Sequence, residues 1–561
     1  MATETAPWDF LQEYSPNFFS GEWPTIPQMV RISASRNADR QCFTSFVPKK
    51  RSWTYSEAIQ RIESLAGKLQ HDGLTPGMQV GLTGKNSPEW AFAYLAILFA
   101  GGVVVPIDHM LSSKDTLRLL ERAECSMLLV DSEKFDFFAG QKSIKKLYGL
   151  EPELANFILD LPQESFEPVD RDEHDTAAIL FTSGTTGDSK GVMLSHQNIV
   201  ADCYLAQGHM TLYPTDVFYA LLPLHHSYSM LAVFMESLSV GAETVFTPQL
   251  AVSQVLKDLK QGNVTMFLGV PMLFNKLLKG LMRGVREKSV VLYRIIRGLM
   301  ALSGFIKKVL GVNIGTWLFR GLRGKLSMDR IRICISGGGP LPVSTLKQFN
   351  QLGLSFVQGY GLTETSPIIT LNPTNSKQAS SVGLPLPQAD IRIIDADEEG
   401  IGEIVVKGPM IMQGYYRNEE ATKEVFTSDG YFKTGDMGYM DSKSYVYLTG
   451  RKKLLIVTEG GKNVYPEEIE DMFQLYDEIE QIMVRGYELD KAMRTEGIEA
   501  LVYPNQDMNV SDERIAEIIG AVNRELLPYQ RILRHTVRSE PMPMTTTKKI
   551  KRHETSPEAD E

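Results

Sequence analysis

The stretch Leu180–Ser195 reads LFTSGTTGDSKGVMLS: an apolar strand end, a run of small hydroxylated residues and glycines, a lysine, and an apolar resumption. Gly184 and Gly187 remove side-chain bulk, so a backbone there can approach a polyphosphate closely. Ser183, Thr185 and Thr186 add hydroxyl donors beside the amides, and Lys190 adds a mobile cation. The pattern G-x-x-x-x-G-K-[ST] cannot be laid on these residues, so this is not a Walker loop. Further along, Gly359–Thr365 (GYGLTET) puts an aromatic, glycines and a hydroxyl–carboxylate pair in one turn, a set suited to stacking a ring and holding a divalent cation. Gly337-Gly338-Gly339 makes a second tight glycine turn, and His225-His226 sit where a strand ends.

The elements that must position these residues alternate. Helical spacing at Pro27–Ser35 is followed by Trp53–Tyr55 and a helix over Ser56–Gln70, with Ser56 the expected cap. Val80–Leu82, Val103–Ile107, Met127–Val130 and Ala177–Phe181 read as strands, with helices at Pro88–Ala100 and Ser112–Ala123 between them. Such alternation predicts a layered α/β domain with a mostly parallel sheet, whose ligands sit at the carboxyl ends of strands. Asp131–Asp175 reads as a polar surface excursion, and the short strands and turns after Gly383 as a small β subdomain. A change of texture at Thr449–Lys453 divides the chain into residues 1–449 and a smaller α+β domain, 450–561.

Composition bounds the partners. At 561 residues the chain is too long for one core. A net charge of −10 argues against a general nucleic-acid binder. Four scattered cysteines form no C-x-x-C, which fits reduced thiols in the cytoplasm, and no secretory leader is expected. The apolar run Ala91–Ile107 is broken by Gly101-Gly102 and Pro106 and reads as a buried helix feeding a buried strand, not a membrane span. Lys276–Lys325 carries twelve Lys or Arg and one acid among many apolar residues, which suits either an anionic membrane surface or surface helices with apolar stems.

Taken in order, Thr182–Gly191, Pro223–His226, Gly359–Thr365, Tyr431–Asp436, Gly450–Asn463 and Thr545–Arg552 resemble the signatures of adenylate-forming enzymes: acyl-CoA synthetases, firefly luciferase and peptide-synthetase adenylation domains. The phrases GYGLTETSPI and GRKKLLIVTEGGKNVYPEEIE look most like bacterial long-chain fatty acid:CoA ligases. The resemblance implies a large adenylation domain and a small mobile domain. It implies attack of a carboxylate on the α-phosphate of ATP, then transfer of the acyl group to coenzyme A. By the same resemblance Thr182, Ser183, Gly184, Thr185, Thr186, Gly187 and Lys190 would hold the β- and γ-phosphates. Glu364 and Thr182 would hold Mg²⁺, Thr363 would contact the α-phosphate, and Tyr360 and Gly361 would lie against adenine near Gly338 and Gly339. Asp436 would take the ribose hydroxyls with Arg451 in support, and His226 would stand beside the acyl carboxylate. Lys549 would bridge carboxylate and α-phosphate; Lys453 falls at the hinge, and Gly460 and Gly461 would line the CoA path. Two departures stand out: Asp188-Ser189 where many relatives have a proline before the lysine, and Lys548 where many have glycine. A ligase that loads an acyl carrier protein, and a catalytically silent lipid- or nucleotide-binding homologue, remain as rivals. The acyl chain length and the oligomeric state are not legible.

Overall fold

A computed structural model describes residues 6–182, 189–248, 251–339, 341–374, 378–458, 462–474, 476–490, 495–544 and 550–555. Two large sheets organise the first four-fifths of the chain. One has seven strands; Gln79–Thr83, Val103–Ile107, Met127–Val130 and Lys146–Gly149 are parallel to their neighbours, while Thr176–Thr182 and Lys190–Ser195 form an antiparallel pair at the other side. The other has nine strands, with a parallel interior through Val217–Ala220, Met266–Gly269, Ile333–Ser336 and Ser355–Tyr360 and antiparallel edges. The expected layered α/β architecture is therefore present. A separate four-stranded antiparallel sheet is built from Asp390–Ile394, Gly402–Lys407, Phe432–Met440 and Val446–Arg451.

The apolar run after Ala91 resolves as foreseen. Every residue of the helix Pro88–Phe99 is buried, and so is every residue of the strand Val103–Ile107 that follows it. Pro88 pre-sets the first turn and the Ser87 hydroxyl accepts from the Trp90 amide, so the helix start is fixed locally. The one acid in this helix, Glu89, is buried and paired with Arg51, which avoids an uncompensated charge.

Two expectations change. The helix expected to be capped by Ser56 begins at Tyr55 with Thr54 as its cap: the Thr54 hydroxyl accepts from the Glu57 amide at 3.3 Å and the Glu57 carboxylate accepts from the Thr54 amide at 2.8 Å. Glu three residues after Thr makes this capping box, and Ser56 has no such partner position. Asp131–Asp175 is more than a surface excursion, since it contains the helix Ser132–Ala139 and the edge strand Lys146–Gly149. A strand that closes a sheet edge tolerates the polar composition that hid it.

Residues from Ile456 to Ile532 contribute a hydrophobic cluster of their own, with Ile469 and Phe473 of the helix Pro466–Phe473 packed against the sheet of Ile479–Asp490, Thr495–Pro504 and Arg534–Val537. No helix among the described residues is long and apolar enough to cross a membrane.

Candidate active site

The site forms where strand ends of both large sheets meet the β subdomain. Thr182 is the last residue of its strand and Lys190 the first of the next, and the two are register partners. The pairing thus sets a threonine opposite a lysine, with the Thr182 hydroxyl donating to the Lys190 carbonyl at 3.4 Å. Ser183, Gly184, Thr185, Thr186 and Gly187 lie outside the described residues, as do Gly460, Gly461 and Lys549.

The turn after the strand Ser355–Tyr360 brings the other groups in. Tyr360 donates its phenol to Asp436 Oδ2 at 2.6 Å, and Arg451 Nε lies 2.7 Å from Asp436 Oδ1. Asp436 and Arg451 are register partners on adjacent strands, so the β subdomain itself delivers this pair. Burial, and then the neighbouring Asp436 carboxylate, push the Tyr360 phenol well above its ordinary range, so it stays a donor. Gly361 has no substitute here: a Cβ would lie 1.6 Å from the Pro367 carbonyl oxygen.

One turn further, Thr363 and Ser227 place their hydroxyls 3.2 Å apart, which joins this segment to the one that carries His226. The next residue, Tyr228, packs its ring where a Cβ on Gly337 would stand, 2.6 Å from the nearest ring atom. Gly338 follows with φ of +79°, a conformation that favours glycine, and Gly339 completes the turn. The Thr363–Thr365 turn also packs on the strand Lys190–Ser195. Glu364 accepts from the Tyr415 hydroxyl at 3.0 Å, and Lys190 Nζ sits 4.8 Å from the centroid of the same ring. An ammonium and a carboxylate are thereby held around one aromatic group.

Tyr415, Asp108, His225 and Glu467 were not read from the sequence as site residues. Tyr415 arrives on the short strand Gly414–Tyr415, which pairs with Met193 and Val192 from a distant part of the chain. Buried His225 lies 3.5 Å from Asp108 through Nε2, with the His225 and His226 rings 4.2 Å apart. Asp108, His225 and His226 bring ligand-type atoms within 4.8 Å of one another. Although burial opposes its charge, hydrogen bonding to His225 and the His225 charge hold Asp108 well below the usual carboxylate range. Glu467, on the helix Pro466–Phe473, comes close enough to Asp436, Arg451 and Arg552 to interact electrostatically, but burial is the larger influence and raises its carboxyl. Tyr415, Asp108 and Glu467 meet their partners only through long-range pairing, so no local pattern announces them. Two adjacent histidines at a strand end were the one available signal.

Arg552 is fixed beside this edge by two 2.6 Å contacts to Glu470 and by donation to the Val484 carbonyl at 2.8 Å. Met544 and Ile550 pair as a β-bridge.

The hairpin with its hydroxyl and lysine, the aromatic–glycine–hydroxyl–carboxylate turn and the Asp436–Arg451 pair are thus brought together at the ends of these strands. The family model described as AMP-binding enzyme matches residues 30–416. The chain belongs to that family, as an adenylate-forming acid–thiol ligase. It is 28% identical over 595 residues to a long-chain-fatty-acid–CoA ligase of Bacillus subtilis, covering 97% of this chain and 97% of that protein. It is 26% identical to a chloroplastic long-chain-fatty-acid–[acyl-carrier-protein] ligase of Arabidopsis thaliana, AEE15, covering 87% of this chain and 77% of the relative. Among solved structures, ATP-bound MatB from Rhodopseudomonas palustris is 26% identical with a TM-score of 0.77, covering 94% of this chain and 98% of MatB; the apo form of MatB gives 0.68.

Proposed function

We propose that this enzyme activates a medium- to long-chain fatty acid with ATP to the acyl adenylate and transfers the acyl group to coenzyme A. The observation that carries the nucleotide half of this reading is that the single segment from Tyr360 to Glu364 engages three partners: Tyr360 meets the Asp436–Arg451 pair, Thr363 meets Ser227, and Glu364 meets Tyr415, whose ring receives Lys190. The likeness to the Bacillus subtilis ligase over nearly the full length of both chains supports the fatty acid and the CoA acceptor.

In this reading a carboxylate oxygen attacks the α-phosphorus and pyrophosphate leaves. Two anions must approach, so the chain's task is neutralisation and alignment. Lys190 and the hydroxyls from Thr182 to Thr186 hold the β- and γ-phosphates, and Thr363 holds the α-phosphate. Asp436, already oriented by Tyr360 and Arg451, accepts from the ribose hydroxyls while the Tyr360 ring and Gly361 border adenine beside Gly338 and Gly339. His226 lies beside the acyl carboxylate, oriented through the His225–Asp108 contact. The hard oxygen set of Glu364 and Thr182 fits Mg²⁺, which when bound would neutralise phosphate charge. Lys549 bridges carboxylate and α-phosphate as a cation. For thioester formation the part of residues 450–561 that follows Lys453 turns about it, bringing Gly460 and Gly461 to the CoA path; the thiol sulfur then attacks the acyl carbon and AMP leaves. The better overlay on ATP-bound than on apo MatB supports reading the described arrangement as the adenylation one.

A pyrophosphate-release assay across acids of graded chain length, with and without CoA, tests this directly. Acid-dependent pyrophosphate release with acyl-CoA accumulating is the expected result. Acyl adenylate without acyl-CoA would instead favour transfer to a carrier protein, the reaction named for AEE15. No acid-dependent release with any acid would favour a silent homologue.

A further inference from the structure

The basic apolar stretch Lys276–Lys325 divides in the structure. Its first helix, Pro271–Lys288, buries Phe274, Leu277, Leu278, Leu281, Met282 and Val285 and is a core element. The second, Val290–Leu310, buries only Met300 and Ser303. Its inward face is completed by Tyr293, Ile296 and Leu299, which pack partly buried on the core. The opposite face is also apolar. Val291, Ile295, Leu302, Phe305 and Val309 are all exposed, Phe305 by 64%. At about 100° per residue these five fall within an arc of about 80°. Beyond the helix end Trp317 is 82% exposed.

Charge says what this face fits. Arg294, Arg297 and Lys308 are exposed along one flank of the apolar stripe, with Arg297 also donating to Gln348 at 2.6 Å, and Arg283, Arg286, Lys288, Arg320 and Lys325 are exposed in the segments just before and after this helix. Among the described residues none of the eight lies within salt-bridge distance of a carboxylate. This concentration occurs in a chain whose net charge is −10. A second copy of the same helix would bring these cations towards one another, whereas anionic head groups neutralise them. An exposed tryptophan beside an apolar stripe with a basic border is the pattern of a helix lying in a membrane interface.

We propose that the helix Val290–Leu310 and Trp317 form a peripheral docking surface for an anionic lipid bilayer, with Val291, Ile295, Leu302, Phe305 and Val309 facing the acyl region and Arg294, Arg297 and Lys308 at the phosphates. The proposal stands independently of which acid is activated. It is tested by flotation of the full chain with phosphatidylglycerol-containing or pure phosphatidylcholine vesicles. The wild type should float with the anionic vesicles at low salt and be released by high salt. The triple variant R294E/R297E/K308E should lower partition by about a hundredfold, and Phe305→Glu should lower it with an unchanged melting midpoint. Should either variant melt early, a brominated lipid supplies the second readout: it should quench wild-type fluorescence more than that of Trp317→Phe. A wild type that does not float, flotation equal on both vesicle types, or quenching unaltered in Trp317→Phe overturns the proposal. A stable wild-type dimer that Phe305→Glu splits, without vesicle binding, overturns it in favour of a second copy.

Discussion

At the scale of single residues, the site relies on groups whose orientation is fixed by what surrounds them. Asp436 has Tyr360 on one oxygen and Arg451 on the other, so Asp436→Asn removes a charged partner from both. Loss of a charge-assisted pair costs about 1.5–3 kcal/mol, and kcat/KM for ATP in the pyrophosphate assay should fall by at least about tenfold. Asp131, outside the candidate site, has no such partners. Both its carboxylate oxygens are buried without a hydrogen-bond partner among the described residues, and burial raises its carboxyl to about 6. The folded state therefore holds this proton more tightly than the unfolded state. Between about pH 4 and pH 6 the folded state binds more protons, so stability from this group declines as pH rises. Asp131→Asn should be more stable than the wild type above pH 6, by about 3 kcal/mol, with the gap closing as pH falls towards 4. Urea unfolding at several pH values measures it; a gap independent of pH would refute the assignment.

At the scale of elements, the turns are constrained by close backbone approach. A methyl group on Gly361 would collide with the Pro367 carbonyl, a backbone atom that cannot swing away. Gly361→Ala should lower stability by about 1–3 kcal/mol and abolish most adenylation, read by thermal melting and pyrophosphate release on the same preparation. Such turns were legible in the sequence because glycine, hydroxyl and carboxylate occur within a few consecutive residues. The buried helix Pro88–Phe99 and its following strand were legible for a similar reason: an unbroken apolar run interrupted by glycines leaves few alternatives. Tyr415, Asp108 and Glu467 were not legible, because strand pairing and helix docking, not neighbouring residues, bring them to the site. The edge strand Lys146–Gly149 escaped for want of apolar alternation, and the Thr54 cap because Ser56 is also a capping residue type, whereas it is Thr54 that has Glu57 three residues on to return the bond.

At the scale of the whole molecule, Arg552 near the end of the chain is tethered to the helix that also approaches Asp436. Arg552 is clamped by Glu470 and the Val484 carbonyl, and Glu467 on the same helix as Glu470 feels both Arg552 and Asp436. If residues 450–561 turn between the two half-reactions, Lys549 serves only the first. Lys549→Ala should then depress adenylation by at least about a hundredfold, the range for removing one preorganised charge stabiliser. Thioester formation from supplied acyl adenylate should change little. Equal losses in both half-reactions, measured separately by pyrophosphate release and by acyl-CoA formation, would contradict the rotation.

The aromatic ring at Tyr415 has a further consequence for how the site waits for its nucleotide. Its hydroxyl engages Glu364 and its face receives Lys190, so a carboxylate and an ammonium are each given a partner other than one another. Without that spacer the two could collapse into a direct ion pair, and incoming phosphate and metal would first have to pull it apart. Tyr415→Ala should therefore raise the KM for Mg-ATP while leaving the KM for the acid nearly unchanged, in steady-state pyrophosphate release. In the function proposed here the tyrosine would act as an insulator between opposite charges, keeping the cation and the anion separately available to a ligand that carries both phosphate and metal.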